Sequence, residues 1–148
     1  MDDEKYMNLA LLEAKKGLLV DEVPIGAIIV YHNEIIASAF NQKETLHDAT
    51  AHAEILAIQH ASQKLGQWHL DDCIMYTTLE PCIMCSGAII QSRMSKVVYG
   101  AKSQRWDGLS TYLKTHQFNH YPEVVSGVLE KPCMMIVSEY FRSKRKNK

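Results

Sequence analysis

The chain has 148 residues, enough for one domain around a single core. With 47% hydrophobic and 22% charged residues it is not a disordered chain, and a net charge of −1 gives no overall pull toward nucleic acid. The longest apolar runs, such as IGAIIV, fall far short of the roughly 20 residues that cross a bilayer, and the acidic opening MDDEKYM lacks the basic-then-apolar order of a signal peptide.

A cytoplasmic location with no membrane association is therefore expected. Residues from about 2 to 17 carry Tyr6, Leu9, Ala10, Glu13 and Ala14 at helical spacing, with Gly17 as a natural stop. IGAIIVY reads as a buried strand. His32-Asn33-Glu34 then turns the chain tightly into EIIASAF, which predicts an antiparallel hairpin. The polar stretch NQKETLHDAT precedes a helix from about Ala51 to Leu65, ended by Gly66. CIMYTTL is the next strand, EPCIMCSGAIIQS a helix beginning near Pro81, and SKVVYGA the strand after it. KSQRWDG is a loop, LSTYLKT a short helix and VVSGVL a fifth strand. A last helix begins near Lys131-Pro132 and runs into a basic tail at about 142–148. This order predicts a single three-layer α/β/α domain, residues 1–148, with a five-stranded mixed sheet.

Two helix starts carry groups that bind metals or move protons. Cys82 and Cys85 lie three apart on a first turn, on one face, where the helix dipole favours thiolate. Alone, such a pair fits redox, structural or metal chemistry. An imidazole added to two thiolates makes a three-ligand set that leaves zinc an open position for water. His52 can supply the imidazole and Glu54 the base. Residues two apart do not share a helix face, so His52 must lie at the helix's very beginning, an approach that Asp48-Ala49-Thr50 suits. Cys73 and Cys133 sit in apolar surroundings and read as buried thiols. Taken together, H-A-E followed by P-C-I-M-C matches the signature of the zinc deaminases.

Over nearly its whole length the chain resembles the bacterial tRNA adenosine deaminase family. EVPIGAIIV, the Asn of AFN, TAHAEILAI, YTTLEPCIMCSGAII, VVYGAK, FNH and YFRSKRKNK fall in family order. The resemblance implies a cytidine-deaminase-like fold, a homodimer, one Zn2+ per subunit and hydrolysis of adenosine to inosine at the wobble position of a tRNA anticodon stem-loop. His52, Cys82 and Cys85 would hold zinc, Glu54 would shuttle the proton, and the backbone at Cys82 would steady developing negative charge. Asn41 would hydrogen-bond the base and Ile25 line its pocket, with Asn119 and His120 near the RNA-binding mouth. Without the resemblance, Asn41 reads as a loop cap and Ile25 as a core residue.

The family pattern breaks after GAK. There the family has an acidic residue and a longer Lys- and Gly-rich loop, whereas this chain has SQRWDGLSTYL with Ser103 at the acidic position. Arg105 and Trp106 could pair with phosphate and stack on a base, or Trp106 could pack against the loop. The alternative activity is deamination of a free base or nucleoside of the guanine or cytosine type. The altered loop and the near-neutral charge favour it, whereas LEPC, FNH and the basic tail favour tRNA. A noncatalytic zinc scaffold has no use for Glu54.

Overall fold

The computed structural model describes residues 2–146. Its elements follow the expected order: α1 (Asp3–Leu18), β1 (Gly26–Tyr31), β2 (Glu34–Phe40), α2 (Ala53–Leu65), β3 (Cys73–Leu79), α3 (Ile83–Gln91), β4 (Lys96–Ala101), α4 (Leu109–Thr115), β5 (Glu123–Ser126) and α5 (Glu130–Lys146). The sheet order is β2-β1-β3-β4-β5, with β1 antiparallel to both neighbours and β3, β4 and β5 mutually parallel. His32 and Asn33 take φ of 49° and 66°, the left-handed pair that a two-residue hairpin turn requires.

The near-continuous apolar run of β1 reflects burial on both faces. Ala27 and Ile29, with Met75 and Val97, face the layer of α2, α3 and α4. Ile28 and Val30, with Tyr76 and Val98, face α1 and α5. Among the described residues no helix is long and apolar enough to cross a membrane. The fifth strand is displaced from its expected place. It begins at Glu123 and stops at Ser126 because Gly127, at φ 82°, turns the chain, leaving Val128 and Leu129 outside it.

Sheet order sets which ends meet. Because β1 runs against both β2 and β3, those two strands point the same way. The start of α2, the start of α3 and the entry to β1 therefore lie at one edge of the sheet. Asn41, just past β2, donates its backbone N–H to Ile25 O (3.0 Å), just before β1. Gly26 receives α1 at backbone contact: a Cβ there would collide with Ala10 O and lie 2.5 Å from Ala14 N.

Glu22 sits in the turn after α1 with 1% of its surface exposed. Its carboxylate accepts the N–H groups of Glu44 (3.1 Å) and Thr45 (2.5 Å) and the Thr45 hydroxyl (2.6 Å). Burial pushes its pKa up, but these hydrogen bonds outweigh it and hold the group below 4.5. They pin the polar segment that leads from β2 to α2.

Two predictions follow from these anchors. Gly26→Ala should cost about 1–3 kcal/mol, since neither backbone can yield, and a urea midpoint equal to that of wild type would refute the close approach. Glu22→Gln should lower stability at pH 7 by about 2 kcal/mol. A group with a depressed folded pKa stabilises fully above its unfolded value and stops doing so as pH falls through the folded one. The gap between variant and wild type should therefore close as pH drops below 4.5, read by thermal melts across pH.

Candidate active site

His52 and Cys82 occupy equivalent positions. Each is the N-cap of its helix, with extended backbone and no side-chain capping bond. N-cap positions ordinarily carry an oxygen that accepts a helix N–H; here the side chains turn outward and meet each other. This extended residue before α2 resolves the two-apart problem, because His52 lies outside the helix while Glu54 lies inside its first turn. The turn leading in is fixed by Asp48, whose carboxylate accepts the Thr50 N–H (2.8 Å) and hydroxyl (2.7 Å).

His52 Nδ1 stands 3.6 Å from the Sγ of Cys82 and 3.6 Å from the Sγ of Cys85, and all three donor atoms lie within 4.8 Å of one another. A tetrahedral centre with bonds of about 2.1 Å to nitrogen and 2.3 Å to sulfur would separate those atoms by roughly 3.6 Å. This donor set could therefore hold a metal ion. A hydrogen bond from Cys85 and the nearby His52 bring the Cys82 thiol down to about 4 despite partial burial. The bond with Cys82 and its own burial push Cys85 up. Contact with Cys82 raises His52. Of the three groups, the Cys82 sulfur is the one drawn toward the anionic form.

Glu54 is 4% exposed. Burial pushes its carboxyl up to about 7, with its own backbone N–H and the nearby His52 pulling partly against it. A carboxyl that titrates near neutrality suits a group that must both take and return a proton.

Above His52 opens a cavity of about 670 Å3. Ile25 and Asn41, at the paired ends of β1 and β2, form part of its wall. Asn41 is 5% exposed; its Nδ2 donates to Val23 O at 3.5 Å, and its Oδ1 has no partner among the described residues. A loop cap would satisfy its acceptor, whereas an orphaned buried one facing a cavity suits a bound polar group. Asn119 is exposed, and the His120 ring lies 2.7 Å from Met94 O, ahead of β4 and so at the opposite end of the strands. Neither residue lines this cavity.

Several residues here were not foreseen from sequence. Lys43 follows Asn41 onto the wall and Phe141 reaches it from α5, beside Arg142 and Arg145 of the expected basic tail. Asp21 steadies that end of α5 through Lys144 Nζ (2.7 Å) and the Tyr140 hydroxyl (3.1 Å). Glu80, next to the zinc-type motif, is buried and acts on the neighbouring loop. Its two oxygens accept the N–H groups of Ser103 (3.1 Å) and Ser110 (2.9 Å). No periodicity marks such carboxylates; only their position beside a Pro-Cys or turn sequence hints at a structural partner. Cys73 and Cys133 are buried free thiols, as their surroundings suggested.

Known proteins place this geometry. A family model of MafB19-like deaminases matches residues 1–145. The tRNA-specific adenosine deaminase of Bacillus subtilis (strain 168) is 49% identical over 149 positions, covering 99% of this chain and 92% of that protein. A structure from a study of A-to-I editing by tRNA:A34 deaminases at the wobble position superposes with a TM-score of 0.85. It is 38% identical and covers 89% of this chain and 98% of that one. A guanine deaminase from Bacillus subtilis superposes with a TM-score of 0.67 at 44% identity, over 69% of this chain and 66% of its own. Sharing half its residues with a deaminase of this kind from end to end, and the same fold with another, the chain belongs to the MafB19-like deaminases and, within them, to the tRNA-specific adenosine deaminase family.

Proposed function

We propose that this protein is a hydrolase that converts adenosine to inosine at the wobble position of a tRNA anticodon stem-loop. In this reading residues 1–148 act as one zinc-dependent catalytic domain, working as a homodimer in the cytoplasm. The observation that carries the reading is the cavity itself. It stands over a group able to hold a metal, beside a buried proton carrier, and Lys43, Arg105, Arg142 and Arg145 line it without a single carboxylate among them. A free base needs no such rim; a polymer of phosphates does.

His52, Cys82 and Cys85 would hold zinc, which when bound supplies a Lewis acid for a water molecule. Glu54 takes a proton from the attacking water and returns it to the ring nitrogen beside C6. The new bond joins oxygen to C6; Glu54 then carries the remaining hydroxyl proton to the amino nitrogen, the C6–N6 bond breaks as the carbonyl forms, and ammonia leaves. Ile25 packs on the base and Asn41 offers its unpaired amide oxygen to the base edge. Of the basic tail, Lys144 is committed to Asp21, whereas Arg142 and Arg145 face the cavity. Residues 147–148 lie outside the described residues. Any contact that Asn119 or His120 makes to RNA lies outside the base pocket.

A second subunit would have a place to sit on α3. The described sequence of α3, IMCSGAIIQ, contains no charged residue, yet Ile83 is 69% exposed and Gly87 and Gln91 follow it on the outward face. An uncharged helix that exposes an Ile is suited to be covered, and a symmetric copy would cover it. The 44% identity to a guanine deaminase favours a second reading, action on a free purine, and the assay below separates the two.

Incubated with a stem-loop bearing a wobble adenosine, the protein should release inosine on nuclease digestion; deamination of free guanine or cytosine in its place would overturn the reading. Glu54→Gln should retain its metal by elemental analysis while turnover falls about 10³-fold. Ile83→Lys should convert the protein to monomers in sedimentation velocity, and an unchanged sedimentation coefficient would move the interface elsewhere.

A further inference from the structure

The segment where the family pattern breaks is tied down by hydrogen bonds at both ends. Glu80 clips its two ends together through the Ser103 and Ser110 N–H groups, and Leu109 N–H adds a bond to Pro81 O (3.1 Å). Gly108 lies so close that a Cβ there would collide with the Glu80 carboxyl. Within the clip, Ser103 Oγ accepts the backbone N–H of Trp106 (3.4 Å). Trp106 itself does not pack inward: 74% of its surface is exposed. It stands on the cavity wall that also carries Arg105.

We infer that Trp106 is a stacking platform for a nucleobase adjacent to the target adenosine, held in place by Glu80 as a positioning residue. The inference rests on the tRNA reading above. To bring C6 to Glu54, the target base must leave its loop stack, which strips its neighbour of a stacking partner. An indole fixed at the cavity mouth replaces that partner, and the adjacent guanidinium of Arg105 meets the phosphate between the two nucleotides. A rigid presentation matters because an unanchored loop would lose much of the gain in ordering itself on binding.

The test uses full-length wild type, Trp106→Ala, Trp106→Phe and Glu80→Gln. Substrates are an anticodon stem-loop with the wobble adenosine and two copies that carry an abasic residue on its 5′ or its 3′ side. KM and kcat for inosine formation are measured separately. Trp106→Ala should raise KM about tenfold on the intact loop while kcat stays within about twofold, and Trp106→Phe should restore most of the loss. One of the two abasic loops should weaken wild type by a similar factor and show no further penalty for Trp106→Ala. Glu80→Gln should raise KM on the intact loop but not on that abasic one. An unchanged KM for Trp106→Ala, or the same penalty on all three loops, overturns the platform. Failure of wild type to form inosine from any loop overturns the tRNA reading and the platform with it, an outcome distinct from active enzyme indifferent to Trp106.

Discussion

The structure turns on a substitution of roles at two helix starts. The first N–H groups of a helix need acceptors, and N-cap side chains ordinarily provide them. At α2 and α3 the cap positions hold His52 and Cys82, whose side chains make no such bond and face each other instead. Two helix N-termini thus point their positive ends at one place, which favours a thiolate there. Helix stability lost at the caps is recovered nearby: Asp48 fixes the turn before α2, and Ser86 Oγ bonds Pro81 O at 3.2 Å across the first turn of α3.

That meeting is possible only because of the sheet. Placing β1 antiparallel between β2 and β3 makes those two strands co-directional, so their following helices start at the same edge. Such an edge, where the sheet changes from antiparallel to parallel pairing, is where open α/β sheets leave a crevice at strand ends. Irregular segments at a crevice tend to drift unless tied down. Two buried carboxylates do that tying, Glu22 for the segment after β2 and Glu80 for the segment after β4. Each accepts backbone N–H groups that would otherwise be unsatisfied near the interior.

The regular part of this architecture was legible because its cause is local. The apolar run of β1, the His32-Asn33 turn and the stop at Gly66 each state a conformation in a few residues, and each element lies where its pattern placed it. The metal-type group was legible for a different reason: Cys82 and Cys85 are close in sequence, and His52 and Glu54 are separated by one residue, so only one distance had to be supplied by folding. What remained hidden was long-range. Nothing in Asp21-Glu22 says that one carboxylate will hold Tyr140 and Lys144 while the next holds Glu44 and Thr45. The basic tail was visible as charge, but which of its members would face the cavity depended on how α5 crosses the strand ends. The fifth strand was extended three residues too far because the apolar pattern resumes at Val128 and Leu129, past Gly127, whose left-handed backbone turns the chain out of the sheet.

Net charge and local field also separate here. A chain at −1 gives no general attraction to RNA, and that balance arises because acidic residues such as Asp2, Asp3, Glu4, Asp71 and Asp72 lie on other parts of the fold. The charged side chains that line the cavity are all basic: Lys43 from one segment, Arg105 from another, Arg142 and Arg145 from α5. Screening over about 8 Å at physiological salt lets such a rim act on its own, independent of charges across the molecule. A phosphate chain would then be drawn to the cavity rather than to the protein at large; in the proposed reading the field would select where the polymer docks, and Asn41 and the buried Glu54 would act on the single base that enters. Affinity and chemistry would thereby be divided between rim and floor, and the loop carrying Arg105 and Trp106, clipped by Glu80, lies at the boundary between them.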